Sequence, residues 1–521
     1  MSAFSRISYA LQNHAGQHTG GIIVLVLLAV CGALSIPRLG ISWDEPVQHH
    51  IGTAGYDYIT RGDTTLFGMK DRVYGPVFEL ALVYAEKTIL PEDSRTVYLF
   101  RHYITFALFC LAVYVFYCLC LRAFSSQSTA LTGMLLLVLC PRILGHSYFN
   151  TKDIPFLCLQ VFSMYALYRA LFEERIRIGW WLVFAVLTGI LINIRIMGIA
   201  TWTAGLGAFT LVSIYRREWK KLPWIPVFIL LSAGVLYAGW PFLWQAPFKN
   251  FALAYNTMAH FPWDGYTRLF GEDIKAGALP VYYALSWMRI SIPLLSILLC
   301  IAGLIFLLFR SLRFRKDTPL LFFGWVQALC SWGVLFIVLQ QGSVLYDDWR
   351  HLYFLWPGLV WNAAWCLHEG ERRLSPRLRL YTRVAGIAYA LSIVAALIRL
   401  FPYHYVYFNE TVSRRENYRA EQFEMDYWGL SYYEGIQYIL AHDPRPEIRI
   451  MSYTQAQVPA FLLLKPEEKR AVNAGGIPDA DYLMTITRFH RLNAHNLKEF
   501  PVLYHAVYRD GSPILQIWKK Q

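Results

Sequence analysis

The stretch GIIVLVLLAVCGALSIPRLGISWDEP, residues 21–46, decides how the rest of the chain is read. Its opening block, 21–36, carries no charge and approaches the roughly 20 residues a helix needs to cross hydrocarbon. A few residues later Trp43-Asp44-Glu45-Pro46 places two adjacent acids at the mouth of the membrane. Ten further apolar blocks follow, at 103–121, 130–140, 154–172, 179–194, 199–214, 222–240, 290–309, 320–339, 352–367 and 384–400. The block at 130–140 is short for a span and is expected to begin earlier or to run past Pro141. The pattern predicts an all-α polytopic membrane protein with about eleven transmembrane helices.

Composition agrees. Of the 521 residues, 56% are hydrophobic and only 16% charged, against roughly a quarter charged in soluble domains. The net charge of +13 would suit a nucleic-acid binder, but the positive residues alternate by side. Arg216, Arg217, Lys220 and Lys221 follow the sixth block, Arg310, Arg313, Arg315 and Lys316 the eighth, and Arg372, Arg373, Arg377, Arg379 and Arg383 the tenth. Arg122 and 173–177 mark two more connections of the same parity. The positive-inside rule places these loops and the N-terminus in the cytoplasm, and no nucleic-acid partner is expected. The first block has a weakly basic leader without a clean cleavage site and reads as a retained anchor. The expected location is the inner membrane, with the tail in the periplasm.

Three polar segments then fall outside: 37–101, 240–287 and 401–521. Two domains result: a membrane module at 1–401 and an external α/β domain at 402–521. Within the first segment, 47–59 and 77–89 show helical apolar spacing and read as amphipathic helices on the membrane surface. In the tail, 426–440 reads as a helix and 448–453 and 482–487 as strands. Residues 502–508 and 514–518 read as a hairpin about Asp510-Gly511. All nine cysteines lie inside apolar blocks, which excludes a disulfide framework in the external segments.

Three polar clusters carry candidate chemistry. In the first, Asp44 reads as a general base for an attacking hydroxyl, with Glu45 orienting it or binding substrate. The other reading is that Asp44 caps the helix that follows, with Glu45 and Pro46 in its first turn. The second is His146-Ser147-Tyr148-Phe149-Asn150-Thr151-Lys152-Asp153-Ile154-Pro155. Here His146 and Lys152 suit an anion or a sugar, while Asp153 equally suits a helix cap. The third is Asp347-Asp348-Trp349-Arg350-His351, running on to Trp356-Pro357. Arg350 can grip phosphate oxygens in bidentate fashion, or it can pair with Asp347 or Asp348. Trp349, Tyr353 and Trp356 read as an interfacial aromatic belt. Asn409-Glu410-Thr411 fits a glycosylation sequon.

Taken in order, these clusters resemble the polyprenyl-phosphate-sugar-dependent glycosyltransferases of the GT-C fold, especially the branch of protein O-mannosyltransferases and lipid A aminoarabinose transferases. In that family an Asp-Glu motif opens the first external loop, a second acid precedes the fourth span, and an Arg followed by an aromatic and a Pro opens a late span. Trp43-Asp44-Glu45-Pro46, Asn150-Thr151-Lys152-Asp153-Ile154-Pro155 and Arg350-His351-Leu352-Tyr353-Phe354-Leu355-Trp356-Pro357 match these in turn. The resemblance runs from the first span to about residue 401. The tail is similar to that of bacterial members and departs from the mannosyltransferases.

The resemblance implies a polyprenyl-phosphate sugar as donor and a glycan, lipid or protein as acceptor. It implies Asp44 and Glu45 as catalytic residues, and Arg350, Lys152 and His351 as the donor-phosphate site. Asp153 and His146 would bind the acceptor, or Asp153 with Asp44 a divalent cation, Mg²⁺ or Mn²⁺. Two rivals are a transporter or flippase of a lipid-linked sugar and a non-catalytic assembly subunit. The first would carry its polar groups near the bilayer midplane.

Overall fold

The computed structural model describes residues 3–173, 177–259, 261, 263–312, 318–489 and 496–521. The connection at 174–176 and the basic one at 313–317 lie outside the described residues. Eight helices among the described residues are long and apolar enough to cross a membrane: Gln17–Arg38, Ser94–Phe124, Asp153–Phe172, Ile196–Tyr215, Trp219–Ala238, Leu294–Leu312, Pro319–Gln340 and Pro376–Leu400. Gln127–Val138, Ile178–Ile194 and Trp356–Arg373 account for the other three apolar blocks. The protein is a polytopic membrane protein in which every block expected to span is a helix.

The short block stops early because Pro141 cannot continue a helix. A separate turn, Pro141–His146, starts there with the proline in its first positions. Asp153–Phe172 is the most enclosed of the eight long helices, with 78% of its apolar window buried. Trp349, Tyr353 and Trp356, expected as an interfacial belt, are buried instead. Their polar atoms are used inside: Trp349 Nε1 donates to Ser291 Oγ at 2.9 Å, Tyr353 to Asp348 at 3.2 Å and Trp356 Nε1 to the Leu137 carbonyl at 3.2 Å.

In the 37–101 segment, Asp44–Arg61 and Val77–Ile89 are helices. They are locked to the start of Ser94–Phe124 by a buried ion network. Arg101 pairs with Glu79 and, at 2.6 Å, with Glu86, and His49 Nε2 lies 2.9 Å from Glu86. Removing one member of such a network leaves an uncompensated buried charge and is costly.

Beyond Leu400 the chain first threads along the membrane module. Asn409 is 1% exposed, and its amide donates to the carbonyls of Arg289 at 2.6 Å and Ile292 at 2.7 Å. The sequon asparagine is thereby buried as a structural bridge.

The α/β part then forms. Counting from a small hairpin in the 240–287 segment, β1 (Tyr266–Leu269) and β2 (Glu272–Lys275) pair antiparallel. The tail contributes β3 (Ile448–Ser452), β4 (Val472–Ala474), β5 (Tyr482–Ile486), β6 (Val502–Arg509) and β7 (Ser512–Lys519) in the order β4-β3-β5-β7-β6. β3 is parallel to β4 and β5, and β7 is antiparallel to β5 and β6. Asp510 (φ 46°) and Gly511 (φ 78°) make the expected hairpin turn.

The helix expected from residue 426 begins only at Tyr432. Asp426 instead closes a turn, accepting backbone N–H bonds from Gly429, Leu430 and Ser431, and Gly429 supplies the left-handed φ of 74°. That turn meets the exit of the first span. Gly40 N donates to the Leu430 carbonyl at 3.1 Å and Trp43 N to the Trp428 carbonyl at 3.3 Å. A Cβ on Gly40 would lie 2.3 Å from the Leu430 oxygen, so only glycine permits the contact.

Candidate active site

The three clusters meet. Ser42, Asp44, Glu45 and Gln48 from the segment after the first span, Phe149 to Lys152 from the second cluster, Arg350 from the third and Trp428 from the tail line one narrow cleft.

Arg350 is the hub. Its side chain is 3% exposed, and its guanidinium meets three carboxylates: Asp347 at 3.0 Å, Asp153 at 3.2 Å and Asp44 at 3.8 Å. The Trp428 and Tyr346 rings flank it at 4.6 and 5.1 Å. Nε of Arg350 is buried without a hydrogen-bond partner. The anticipated ion pair is thus made with Asp347, while Asp348 pairs with Arg142 at 3.0 Å.

Asp44 is the accessible acid, its side chain 40% exposed. Desolvation by the surrounding protein raises its carboxyl above the usual value; Arg350 opposes the rise and Asp347 and Asp153 add to it. It occupies the first helical position without capping the helix. Glu45 reaches back instead, its Oε1 accepting the Ser42 N–H at 2.7 Å and its Oε2 lying 2.6 Å from His102 Nε2. Glu45 is 2% exposed, so its carboxylate holds the backbone that presents Asp44.

Asp153 is 2% exposed and is held by Arg350, by Arg195 and by the Asn150 amide at 2.9 Å. It does not line the cleft, and rather than capping its helix it opens the first turn, where Asn150 Oδ1 accepts its N–H at 2.9 Å. Lys152 does line it. Its Nζ sits 3.1 Å from the Tyr74 ring centroid, and burial together with the Arg195 charge holds its ammonium well below the usual range. An anion beside it would reverse that shift.

His146 and His351, expected at the ligand, stand behind it. His146 is fully buried, bonded to the Asn150 amide at 3.0 Å and to the Tyr427 hydroxyl at 2.8 Å, so it orients Asn150. His351 packs edge-on to Tyr346, centroids 4.8 Å apart, and burial with the Arg350 charge keeps it neutral.

Asp44 and Asp153, the pair considered for a divalent cation, both face the Arg350 guanidinium. Among the described residues no group of three His, Cys, Asp or Glu side chains is placed to hold a metal. As they stand, these side chains fit a bound guanidinium rather than a metal ion.

Sequence reasoning missed Arg195, Trp428 and Arg488. Arg195 carried a signal, being a lone cation between two apolar blocks. The other two come from the tail and are brought in only by tertiary folding.

Residues 95–243, a stretch that includes Lys152, Asp153 and Arg195, match the family model of dolichyl-phosphate-mannose-protein mannosyltransferases. ArnT from Cupriavidus metallidurans in the apo state superposes with a TM-score of 0.51 at 15% identity, over 96% of this chain and 98% of that one. The chain has the GT-C fold. ArnT bound to undecaprenyl phosphate gives a TM-score of 0.50 at 13% identity, with the same coverage of both chains. The archaeal oligosaccharyltransferase AglB from Archaeoglobus fulgidus, in complex with an inhibitory peptide and a dolichol-phosphate, gives 0.47 at 12% identity over 92% of this chain and 70% of its own. No curated protein matches the chain by sequence. Within this GT-C architecture the family match stops short of both Asp44 and Arg350, whose meeting comes from the structure.

Proposed function

We propose that the protein is a membrane glycosyltransferase that moves a sugar from a polyprenyl-phosphate donor to an acceptor hydroxyl, in one displacement with inversion. The observation that carries this reading is the accessible carboxylate of Asp44 facing the buried guanidinium of Arg350 across one cleft. The family match over 95–243 and the GT-C neighbour that binds undecaprenyl phosphate support it.

Asp44 takes the proton of the acceptor hydroxyl as that oxygen attacks the anomeric carbon. The bond from that carbon to the phosphate oxygen breaks, and its electron pair leaves with polyprenyl phosphate. Arg350 and Lys152 meet the charge that develops on the leaving phosphate. Asp153 holds Arg350 in place, and Glu45 holds the backbone under Asp44. The positive-inside pattern supports a periplasmic site on the inner membrane, and the proposed acceptor is a glycan, lipid or protein hydroxyl.

The test uses purified protein in detergent with a labelled polyprenyl-phosphate sugar. Wild type is expected to release polyprenyl phosphate, and Asp44→Asn to lose roughly 10² to 10⁴ in rate. Equal turnover by the variant would remove Asp44 from the chemistry. Movement of the intact donor across vesicles without phosphate release would indicate a flippase instead.

A further inference from the structure

Asp347 stands between two guanidinia. Its Oδ2 lies 3.0 Å from Arg350 Nη2 and accepts the indole N–H of Trp428 at 2.9 Å, while its Oδ1 accepts from Arg488 Nη2. Arg488 follows β5 in the tail, and its side chain is 4% exposed. Its Nη1 donates to the Tyr427 carbonyl at 3.1 Å, and its Nε lies 3.4 Å from Glu424. The rings of Trp43 and Trp263 cover it, each 5.2 Å from the guanidinium carbon. Trp43 directly precedes Asp44, and Trp263 belongs to the second external segment.

This arrangement bears on what Arg350 must do. To grip a phosphate, Arg350 has to loosen a carboxylate it already holds. Asp347 is fully enclosed, and leaving it without a counter-ion would be expensive. With Arg488 on its other oxygen, Asp347 stays compensated when Arg350 turns to an anion. Without Arg488, Asp347 competes with the incoming phosphate for Arg350.

We propose that Arg488 is a positioning residue for the donor-phosphate site, compensating Asp347 so that Arg350 is free to exchange a carboxylate for the phosphate of a lipid. The proposal rests on the reading of Arg350 as the phosphate-binding group, and its test separates the two. Undecaprenyl phosphate is titrated against the full-length protein in detergent, with binding followed by tryptophan fluorescence and folding checked by size exclusion.

Arg350→Ala is expected to abolish most binding. Arg488→Ala is expected to weaken it about ten-fold, within the coupling seen for groups sharing one ion-pair network. Arg488→Ala with Asp347→Asn is expected to recover affinity, because the competing charge is gone, and Arg488→Lys to bind nearly as wild type. A merely structural role for Arg488 would not be rescued at Asp347. Undiminished binding by Arg488→Ala, or a double variant no better than the single, overturns the proposal. Wild-type binding by Arg350→Ala overturns the reading beneath it. If Arg488→Ala does not fold, Arg488→Gln with and without Asp347→Asn makes the same comparison.

Discussion

Arg350 and Asp44 face each other at 3.8 Å, the loosest of the three carboxylate contacts that the guanidinium makes. Asp153 and Asp347 are enclosed and each has a second arginine, whereas Asp44 is open to the cleft and has none. The tight contacts hold Arg350, and the loose one leaves Asp44 able to take a proton.

The first prediction concerns Arg350 itself. In Arg350→Ala, Asp153 keeps Arg195 and Asp347 keeps Arg488, so the loss of stability is expected at or below about 3 kcal/mol, the low end for a broken buried pair. Turnover is expected to fall at least about 10²-fold, as for a lost transition-state donor. Thermal melts in detergent beside turnover per folded molecule check this, and a variant that melts early yet turns over normally would contradict it.

Glu45→Gln separates the two adjacent acids. Its carboxylate is spent on Ser42 and His102, so the amide is expected to lower the melting temperature and to cost less than about ten-fold in rate. Asp44→Asn should do the opposite, with a near-normal melt and a loss of roughly 10² to 10⁴ in rate. Paired measurements on both variants decide between them.

The pH dependence of stability should carry a signature of Glu424. Burial pushes its carboxyl up from 4.5 to about 7, against the pull of Arg488. Between those values the folded protein holds a proton that the unfolded chain has lost, so stability is full below pH 4.5 and declines as pH rises towards 7. The slope attributable to one group is at most about 1.4 kcal/mol per pH unit. Melts across this range should flatten in Glu424→Gln, and an unchanged slope would place the proton elsewhere.

Chelation tests the charge between Asp44 and Asp153. Because Arg350 already lies between them, turnover is expected to survive EDTA. Loss of activity that returns with Mg²⁺ or Mn²⁺ would mean that the guanidinium leaves these acids when the enzyme works.

The sequence showed the spans and the hairpin clearly, since uncharged blocks and alternation about Asp510-Gly511 are local patterns. Arg350 and its partner Asp347 were visible for the same reason, being three residues apart. Which of the two acids at 44 and 45 is enclosed was not, because the partner that buries Glu45, His102, lies 57 residues along the chain. The tryptophans near Arg350 looked interfacial because their polar partners, Ser291 and the Leu137 carbonyl, are remote in sequence. Arg488 lies 141 residues from Asp347, and no pattern near either residue indicates that they meet.

The backbone bonds joining Gly40 to Leu430 and Trp43 to Trp428 tie the exit of the first helix to a segment made only after the last span, Pro376–Leu400. The catalytic cleft therefore cannot close around Arg350 while the ribosome is still working on the membrane module. A chain that stopped within the membrane module would have its spans but not this cleft.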